Sequence, residues 1–147
     1  MTTLTLGGHL VMSDTRDEYL DHIEAVDRAT GRVLIHGLGL GCYLQAILAK
    51  PDVTHIDVVE IDSDVIALIS PYFADDERVH IHQGDAYTFK FPPGTTWDAA
   101  WHDIWSDKCI DDLAGHAKLN RRYGKCVGWQ GCWAHDSILD HRRRYGW

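Results

Sequence analysis

Short apolar runs alternate along the chain with segments whose apolar residues recur at helical spacing. The apolar runs predict buried strands at 32–36, 55–60, 79–82, 98–103 and within 125–133. The other segments predict helices at 43–49, 64–73 and 108–123, and a last helix from about residue 136. Strands and helices that alternate in this way form a parallel sheet with helices on both faces. We therefore predict an α/β fold with a doubly wound, mostly parallel sheet of about five strands.

The first 31 residues follow a different pattern. A short apolar strand segment at 4–6 and 10–12 precedes a helix that Ser13 or Asp14 can cap. The predicted inward positions of this helix are Tyr19, Leu20, Ile23 and Val26. We therefore predict an N-terminal extension over 1–31 and one sheet domain over 32–147.

A glycine-rich turn follows the first strand of the predicted sheet. Gly37, Gly39 and Gly41 allow a tight turn and let a ligand approach the backbone where a Cβ would clash. Glu60 closes the second strand, where a carboxylate can accept both hydrogen bonds of a ribose diol. Because ligands of open parallel sheets bind beyond the carboxyl ends of the strands, these features predict a site for an adenosine-containing cofactor. A glycine turn that merely joins strand to helix is the alternative.

The spacing of the glycines separates two classes of cofactor. In the dinucleotide pattern G-x-G-x-x-G, the third glycine would fall on Cys42 or Leu44. A G-x-G-x-G turn with a strand-end Glu suits S-adenosylmethionine instead, because this cofactor has no pyrophosphate.

A third signal follows the third strand. Asp85 can accept a hydrogen bond from an adenine amino group, and the backbone N–H of Ala86 can donate to the ring. The alternative is that Asp85 is an ordinary helix cap.

Together these residues resemble the class I S-adenosylmethionine-dependent methyltransferases, in detail the spermidine synthase-like group, whose fold is Rossmann-like. Residues 17–22 resemble the segment before that group's glycine loop, and 84–86 resemble its adenine site. Residues 58–62 resemble its ribose-binding strand end, which places Ile61 with Glu60 among the cofactor-binding residues. The resemblance covers 10–107 and implies S-adenosylmethionine, or decarboxylated S-adenosylmethionine, as the cofactor.

Asp103, directly after the fourth strand, matches the position of the family's catalytic aspartate. Transfer from a sulfonium depends largely on alignment, and a base helps when the acceptor is an ammonium or a hydroxyl. Asp103 is the candidate base, with His22 and His102 behind it. Trp101, His102 and Trp105 are candidate walls of an acceptor pocket. The alternatives are that Trp101 is a core residue and His102 a core histidine.

The chain departs from the family in three respects. Leu40 stands where the glycine loop usually has an Asp that anchors the amino group of the cofactor. Ser106 and Asp107 stand where the polyamine site usually has an Asp and a Pro. The family's larger C-terminal half and the last two strands of its sheet have no counterpart. We therefore expect a compact, C-terminally shortened form of a size that suits a viral genome.

Charge is distributed unevenly over the 147 residues, whose formal net charge is −8 at pH 7. Residues 1–120 hold 8 Lys and Arg against 20 Asp and Glu, whereas 121–147 hold 6 against 2. An acidic body repels a phosphate backbone, and the basic residues of the tail complement helix ends, so nucleic acid is not the expected partner. The absence of an Asn-Pro-Pro-Tyr-like run after the fourth strand also disfavours base methylation.

The cysteines indicate the compartment. The four cysteines form no C-x-x-C pair, and no stretch of about 18 apolar residues or secretory leader is present, which predicts a cytoplasmic protein without a membrane segment. A metal site is not expected, since the spacing of Cys126, Cys132, His135 and His141 matches no common zinc pattern.

These observations predict a transferase that uses S-adenosylmethionine, in first place a small-molecule methyltransferase with Asp103 on the acceptor side. The alternatives are an aminopropyltransferase relative and a non-catalytic S-adenosylmethionine-binding or interaction protein. The fifth strand would be a sheet edge with unpaired backbone groups. We therefore expect a homo-oligomer that buries this edge and the last helix, unless that helix shields the edge within a monomer.

Overall fold

The computed structural model describes residues 3–6, 9–13, 16–105, 112–133 and 135–145. The N-terminal part forms an antiparallel hairpin of β1 (Thr3–Leu6) and β2 (His9–Ser13), followed by helix α1 (Arg16–Arg28). Sequence analysis predicted the apolar segment and the helix, and the pairing of the two halves of that segment is new. The domain boundary at 31/32 stays a prediction.

The main sheet of the described residues has five strands, all parallel. They are β3 (Gly31–His36), β4 (Val53–Glu60), β5 (Val79–Gln83), β6 (Trp97–His102) and β7 (Val127–Cys132). Their order is β5-β4-β3-β6-β7, so the chain winds from β3 to one edge and then returns to build the other. The predicted doubly wound α/β fold is confirmed.

Helices cover both faces of the sheet. They are α2 (Cys42–Leu48), α3 (Ser63–Ile69), α4 (Asp112–Tyr123) and α5 (His135–Tyr145). The predicted helix over 64–73 divides at Ser70, where a 3₁₀ turn (Ser70–Phe73) containing Pro71 continues α3. The predicted start of the fourth helix, with residues 108–111, lies outside the described residues.

Alternate residues of the strands supply two separate cores, as the period of two requires. One core contains buried residues of α1, α2 and α3 together with Ile138 of α5, and β3 contributes Val33 and Ile35 to it. The other core contains Leu119 and Tyr123 of α4, and β3 contributes Leu34. Among the described helices, none has the length and apolar character needed to cross a membrane.

Helix α1 is held against the sheet domain by polar contacts at its C-terminal end. The hydroxyl of Tyr43 donates to the carbonyl oxygen of Ala25 at 2.8 Å. The Lys50 ammonium donates to the carbonyl oxygens of Val26 and Asp27 at 2.6 and 3.1 Å. A cation at this position satisfies carbonyls that lack partners within the helix.

The predicted inward face of α1 is wrong at Ile23, whose residue is 46% exposed. Among the described side chains of α1, His22 and Ala25 are buried, and the predicted Val26 is partly buried against the same core. The side chains of Tyr19 and Leu20 lie outside the described residues. The helix is rotated so that a histidine, rather than the isoleucine next to it, points into the protein. Apolar periodicity could not anticipate this choice, because it assigns polar residues to the solvent side.

Candidate cofactor and acceptor site

The predicted site residues meet at the carboxyl edge of the sheet because their four strands are neighbours. Glu60 lies opposite Gln83 in the register of β4 and β5, and His36 lies opposite His102 in that of β3 and β6. The residues that follow these strand ends therefore form one row. In spatial order, the row consists of Asp85, Glu60, the glycine loop and Asp103.

The glycine loop requires its glycines for internal reasons. Gly37, Gly39 and Gly41 have φ values of +96°, +52° and +79°, a region that side chains disfavour. A Cβ on Gly37 would overlap the carbonyl oxygen of Asp103, and one on Gly41 would lie 2.7 Å from the Phe73 ring. The loop therefore packs tightly against the backbone that carries Asp103.

The Glu60 carboxylate joins the glycine loop to the end of β4. Its Oε1 accepts from the backbone N–H of Leu38 at 2.9 Å, and its Oε2 accepts from that of Asp62 at 3.0 Å. A carboxylate has about four acceptor positions, so about two remain for a ligand. Ile61, directly after Glu60, is 64% exposed and offers an apolar surface beside that carboxylate.

Asp85 and Ala86 follow β5 next to Glu60, whose carbonyl oxygen accepts from the backbone N–H of Gly84 at 2.9 Å. The Oδ1 atom of Asp85 accepts from the backbone N–H of Tyr87 at 2.8 Å, so the residue caps a turn. The capping alternative is therefore correct for Oδ1, although the capped element is a turn rather than a helix. Ala86 is 5% exposed, and its side chain lies in the core beneath α4.

Asp103 and His22, the two candidate catalytic residues, form a buried pair. His22 Nε2 lies 3.0 Å from Asp103 Oδ2, and each side chain is 7% exposed. The His22 ring stacks on Tyr43 at a centroid distance of 5.9 Å and meets Trp101 edge-on at 5.5 Å. The carboxylate is thus held by a histidine whose own ring is packed between two aromatic residues.

The three candidate wall residues do not share one surface, and the core alternatives hold for Trp101 and His102, which are 5% and 0% exposed. Trp101 is buried beside His22, but His102 is the next residue of the same strand and points to the opposite face of the sheet. The ring of Trp105 packs edge-on against that of His116 of α4, with the ring centroids 4.2 Å apart. The ring of Trp101 contacts His22 of the buried pair.

No family model matches the chain. A polyamine aminopropyltransferase of Agathobacter rectalis is 33% identical over an alignment 137 positions long, which covers 84% of this chain and 46% of that protein. A ribosomal RNA small subunit methyltransferase A of Laribacter hongkongensis is 39% identical over an alignment 79 positions long, which covers 52% of this chain and 29% of that protein. The chain thus spans less than half the length of either relative.

Solved structures agree in fold over most of the chain. N-methyltransferase NodS from Bradyrhizobium japonicum WM9 has a TM-score of 0.63 at 14% identity, covering 92% of this chain and 76% of its own. The 23S rRNA methyltransferase ErmE has a TM-score of 0.61 at 15% identity, with 90% and 50% covered. Spermidine synthase in complex with a transition-state analogue has a TM-score of 0.54 at 22% identity, with 69% and 38% covered.

The chain has the class I methyltransferase fold. The resemblance to class I methyltransferases that the sequence indicated is confirmed for the fold.

Leu40, which stands where the family's glycine loop usually has an Asp, has a packing role in the structure. Its side chain is partly buried against the core around α2 and lines a groove of about 1000 Å³ between α2 and the 3₁₀ turn. Neither Glu60 nor Asp103 lines this groove. In this methyltransferase fold, the loop position that usually carries a carboxylate therefore contributes to packing. Ser106 and Asp107, the other departures, lie outside the described residues.

Two residues of the site were missed. Tyr43 was assigned to an apolar helix, but it stacks on His22 and holds α1 in place. His36 was assigned to a buried strand, but its ring bonds to His102 across two strands. A polar residue at the end of an otherwise apolar run is the signal that could have identified His36.

Cysteine and histidine residues at the C-terminal end of the chain do not form a metal site where they are described. Cys126 and Cys132 are free thiols at the two ends of β7, and burial raises the pKa of Cys132 to about 12. Within the described parts of the chain, no group of three or more potential ligands is placed to hold an ion. The side chain of His141 lies outside the described residues.

Proposed function

We propose that this chain is an S-adenosylmethionine-dependent transferase, in first place a methyltransferase for a small molecule. The observation that carries the proposal is the order of the row at the sheet edge. Asp85, Glu60, the glycine loop and Asp103 follow one another as adenine, ribose, the sulfonium end and the acceptor would follow one another in a bound complex. Relatives named as methyltransferases and as an aminopropyltransferase support this cofactor class.

The residues present fit the cofactor. The remaining acceptor positions of Glu60 suit a ribose diol, and the exposed side chain of Ile61 suits one face of an adenine ring. The three left-handed glycines place no Cβ atom at positions 37, 39 and 41 of the loop. Asp85 would accept from the adenine amino group through Oδ2, because Oδ1 already caps the turn.

When bound, S-adenosylmethionine supplies an electrophilic carbon on a sulfonium whose departing thioether is neutral. The protein then has to align the acceptor with that carbon. Where the acceptor is an ammonium, Asp103 takes its proton through Oδ1, while Oδ2 remains bonded to His22 Nε2. Donation from His22 orients the carboxylate and keeps it from turning away from the acceptor.

An aminopropyltransferase is the second candidate. The 33% identity with the Agathobacter rectalis protein extends over 84% of this chain and supports it. The same base would serve, because the acceptor of an aminopropyl group is also an amine.

Ribosomal RNA, which the names of other relatives mention, is a weaker acceptor candidate because residues 1–120 carry a large excess of negative charge.

Calorimetric titration tests the cofactor. We expect S-adenosylmethionine or its decarboxylated form to bind, S-adenosylhomocysteine to compete and NAD to show no heat of binding. Absence of binding by all three sulfur compounds would contradict the proposal.

Turnover with a panel of amines, hydroxyl metabolites and RNA then separates the activities. Formation of S-adenosylhomocysteine indicates methyl transfer, and formation of methylthioadenosine from the decarboxylated cofactor indicates aminopropyl transfer. Cofactor binding without any turnover would favour the non-catalytic alternative.

We also propose a second copy of the chain as a partner. In the described sheet, β7 pairs with β6 and ends the strand order, so its other side presents backbone N–H and C=O groups. Light scattering at micromolar concentration tests this proposal. A mass near the 16.7 kDa of one chain that does not change on dilution would contradict it.

A further inference from the structure

Two buried histidines directly precede the two elements that form the site. His36 is the last residue of β3 and leads into the glycine loop, and His102 is the last residue of β6 and leads into Asp103. Both residues are 0% exposed. Their Nδ1 atoms lie 2.8 Å apart, and their rings stack with centroids 5.0 Å apart. The proposed function assigns no role to either ring.

The hydrogen bonds of this pair have a single direction. Gln130 Nε2 donates to the carbonyl oxygen of Asn120 at 2.9 Å, so that Gln130 Oε1 faces His102 Nε2 at 2.9 Å. Because a carbonyl oxygen only accepts, the proton of His102 is on Nε2 and its Nδ1 is an acceptor. His36 must therefore donate through Nδ1–H, and its Nε2 is left as an unprotonated nitrogen.

The environment keeps both rings neutral near pH 7. Burial is the main cause that holds the pKa of His36 well below its ordinary value, and the nearby His102 and Arg122 lower it further. Burial also lowers the pKa of His102 to about 4, against a smaller opposing effect of the Gln130 hydrogen bond. In a protonated His102, Nδ1 would carry a proton that faces the Nδ1–H of His36. The hydrogen bond between the two rings therefore requires the neutral form of His102.

The relay, defined as His36, His102, Gln130 and the Asn120 carbonyl, ends on a helix terminus. Asn120 lies in the last turn of α4, where carbonyl oxygens lack partners within the helix. The relay thus connects the end of α4 through β7 and β6 to the start of the glycine loop. Where the relay reaches the loop, the backbone N–H of Asp103 donates to the His36 carbonyl at 2.8 Å.

We infer that His36 and His102 are positioning residues that hold the glycine loop and Asp103 at one separation. The loop carries the backbone that would contact the cofactor, and Asp103 stands on the acceptor side. A change at His36 therefore alters the geometry between cofactor and acceptor without touching either. The effect on cofactor affinity rests on the proposed function, whereas the relay itself does not.

The test compares three variants with the wild type. His36→Leu removes the donor, and His36→Asn restores an amide N–H at the position of Nδ1. Val33→Ala is the matched control, because Val33 is fully buried on the same strand but faces the opposite core. Amide hydrogen exchange of Leu38 and Asp103 is measured by NMR and corrected for the change in global stability.

We expect the two amides to exchange at least about tenfold faster in His36→Leu than in Val33→Ala, the factor for roughly one lost hydrogen bond. His36→Asn should return exchange close to the wild-type rate. S-adenosylmethionine affinity should fall about tenfold in His36→Leu and recover in His36→Asn. Equal exchange in His36→Leu and Val33→Ala would overturn the inference.

Ring ¹⁵N spectra of the wild type provide a test that needs no variant. We expect His36 to carry its proton on Nδ1 and His102 on Nε2, and the opposite assignment for either ring would overturn the relay. If the wild type binds no S-adenosylmethionine, the proposed function fails, while the exchange rates and the ring spectra still decide the inference.

Discussion

At the scale of single residues, the carboxylates of the site already serve the fold. Glu60 binds two backbone N–H groups, Asp85 caps a turn and Asp103 pairs with His22. Substitution of any of them therefore changes local structure as well as ligand binding. Isosteric amides separate the two effects best, because they keep the shape and part of the hydrogen bonding.

Glu60→Gln should weaken S-adenosylmethionine binding by about 1.5–3 kcal/mol, the range for hydrogen bonds to a charged group. The amide nitrogen of Gln cannot accept, so one backbone N–H and part of the ribose contact lose their acceptor. Calorimetric titration measures the change. Glu24→Gln is the control, since the Glu24 side chain is 62% exposed. Equal affinities of the two variants would remove the ribose assignment.

Asp103→Asn should leave cofactor affinity nearly unchanged and lower turnover by about 10²–10⁴-fold, the contribution of a positioned base. Asn can still bond to His22, so the buried pair should persist. Initial rates with the acceptor found in the panel measure the loss, with the exposed Asp75→Asn variant as the control. A fall in cofactor affinity with an intact fold would instead make Asp103 a cofactor ligand.

At the scale of elements, the glycine loop and the segment after β6 act as one packed unit. Gly37 has a positive φ and no space for a side chain, whereas Gly94 has φ +85° with nothing within 4 Å of an added Cβ. The two positions therefore separate backbone strain from steric overlap. This difference provides an internal control for the loop.

Gly94→Ala should lower the free energy of unfolding by about 1–2 kcal/mol, the cost of a left-handed residue with a side chain. Gly37→Ala should cost more, because its Cβ also overlaps the Asp103 carbonyl, and it should abolish S-adenosylmethionine binding. Urea denaturation and calorimetry measure both quantities. Equal losses of stability, with binding intact, would show that the loop adapts and is only a connector.

The elements were predictable because each follows from local pattern. Apolar runs located the five strands of the main sheet, and glycines and strand-end carboxylates indicated the candidate site, since both depend on neighbours in sequence. The pairing of His36 with His102 was not predictable, because it depends on the register between strands that are distant in sequence. The exposure of Ile23 was missed for a related reason: the rotation of α1 depends on where His22 finds its partner.

At the scale of the whole molecule, buried neutral histidines connect stability to pH. Burial lowers the pKa of His102 to about 4, and burial with nearby His135 and His102 lowers that of His116 to about 4. Burial also holds the pKa of His36 below its ordinary value. The groups that face these rings include Arg122 and Tyr123 of α4, Gln130 of β7, His135 of α5 and Trp105.

The free energy of unfolding should therefore fall as the pH is lowered from about 6.5 towards 4. Between these values the unfolded chain binds protons at His36, His102 and His116, whereas the folded chain keeps these buried rings largely neutral. Their contribution to stability is therefore complete above about pH 6.5. His102 alone corresponds to a loss of about 3 kcal/mol at the acid end of this window. Burial raises the pKa of Asp57, but hydrogen bonds from His82, Trp97 and His55 outweigh it, so that the pKa is lowered from its ordinary value. Asp57 therefore adds a further loss of stability at still lower pH.

Urea denaturation at a series of pH values measures this dependence. His102→Gln should reduce the slope between pH 6.5 and 4, because it removes one titrating ring while keeping an amide at the same place. A flat profile of the wild type across this window would mean that the folded chain takes up as many protons as the unfolded chain, so the buried histidines would not be held neutral below pH 6.5.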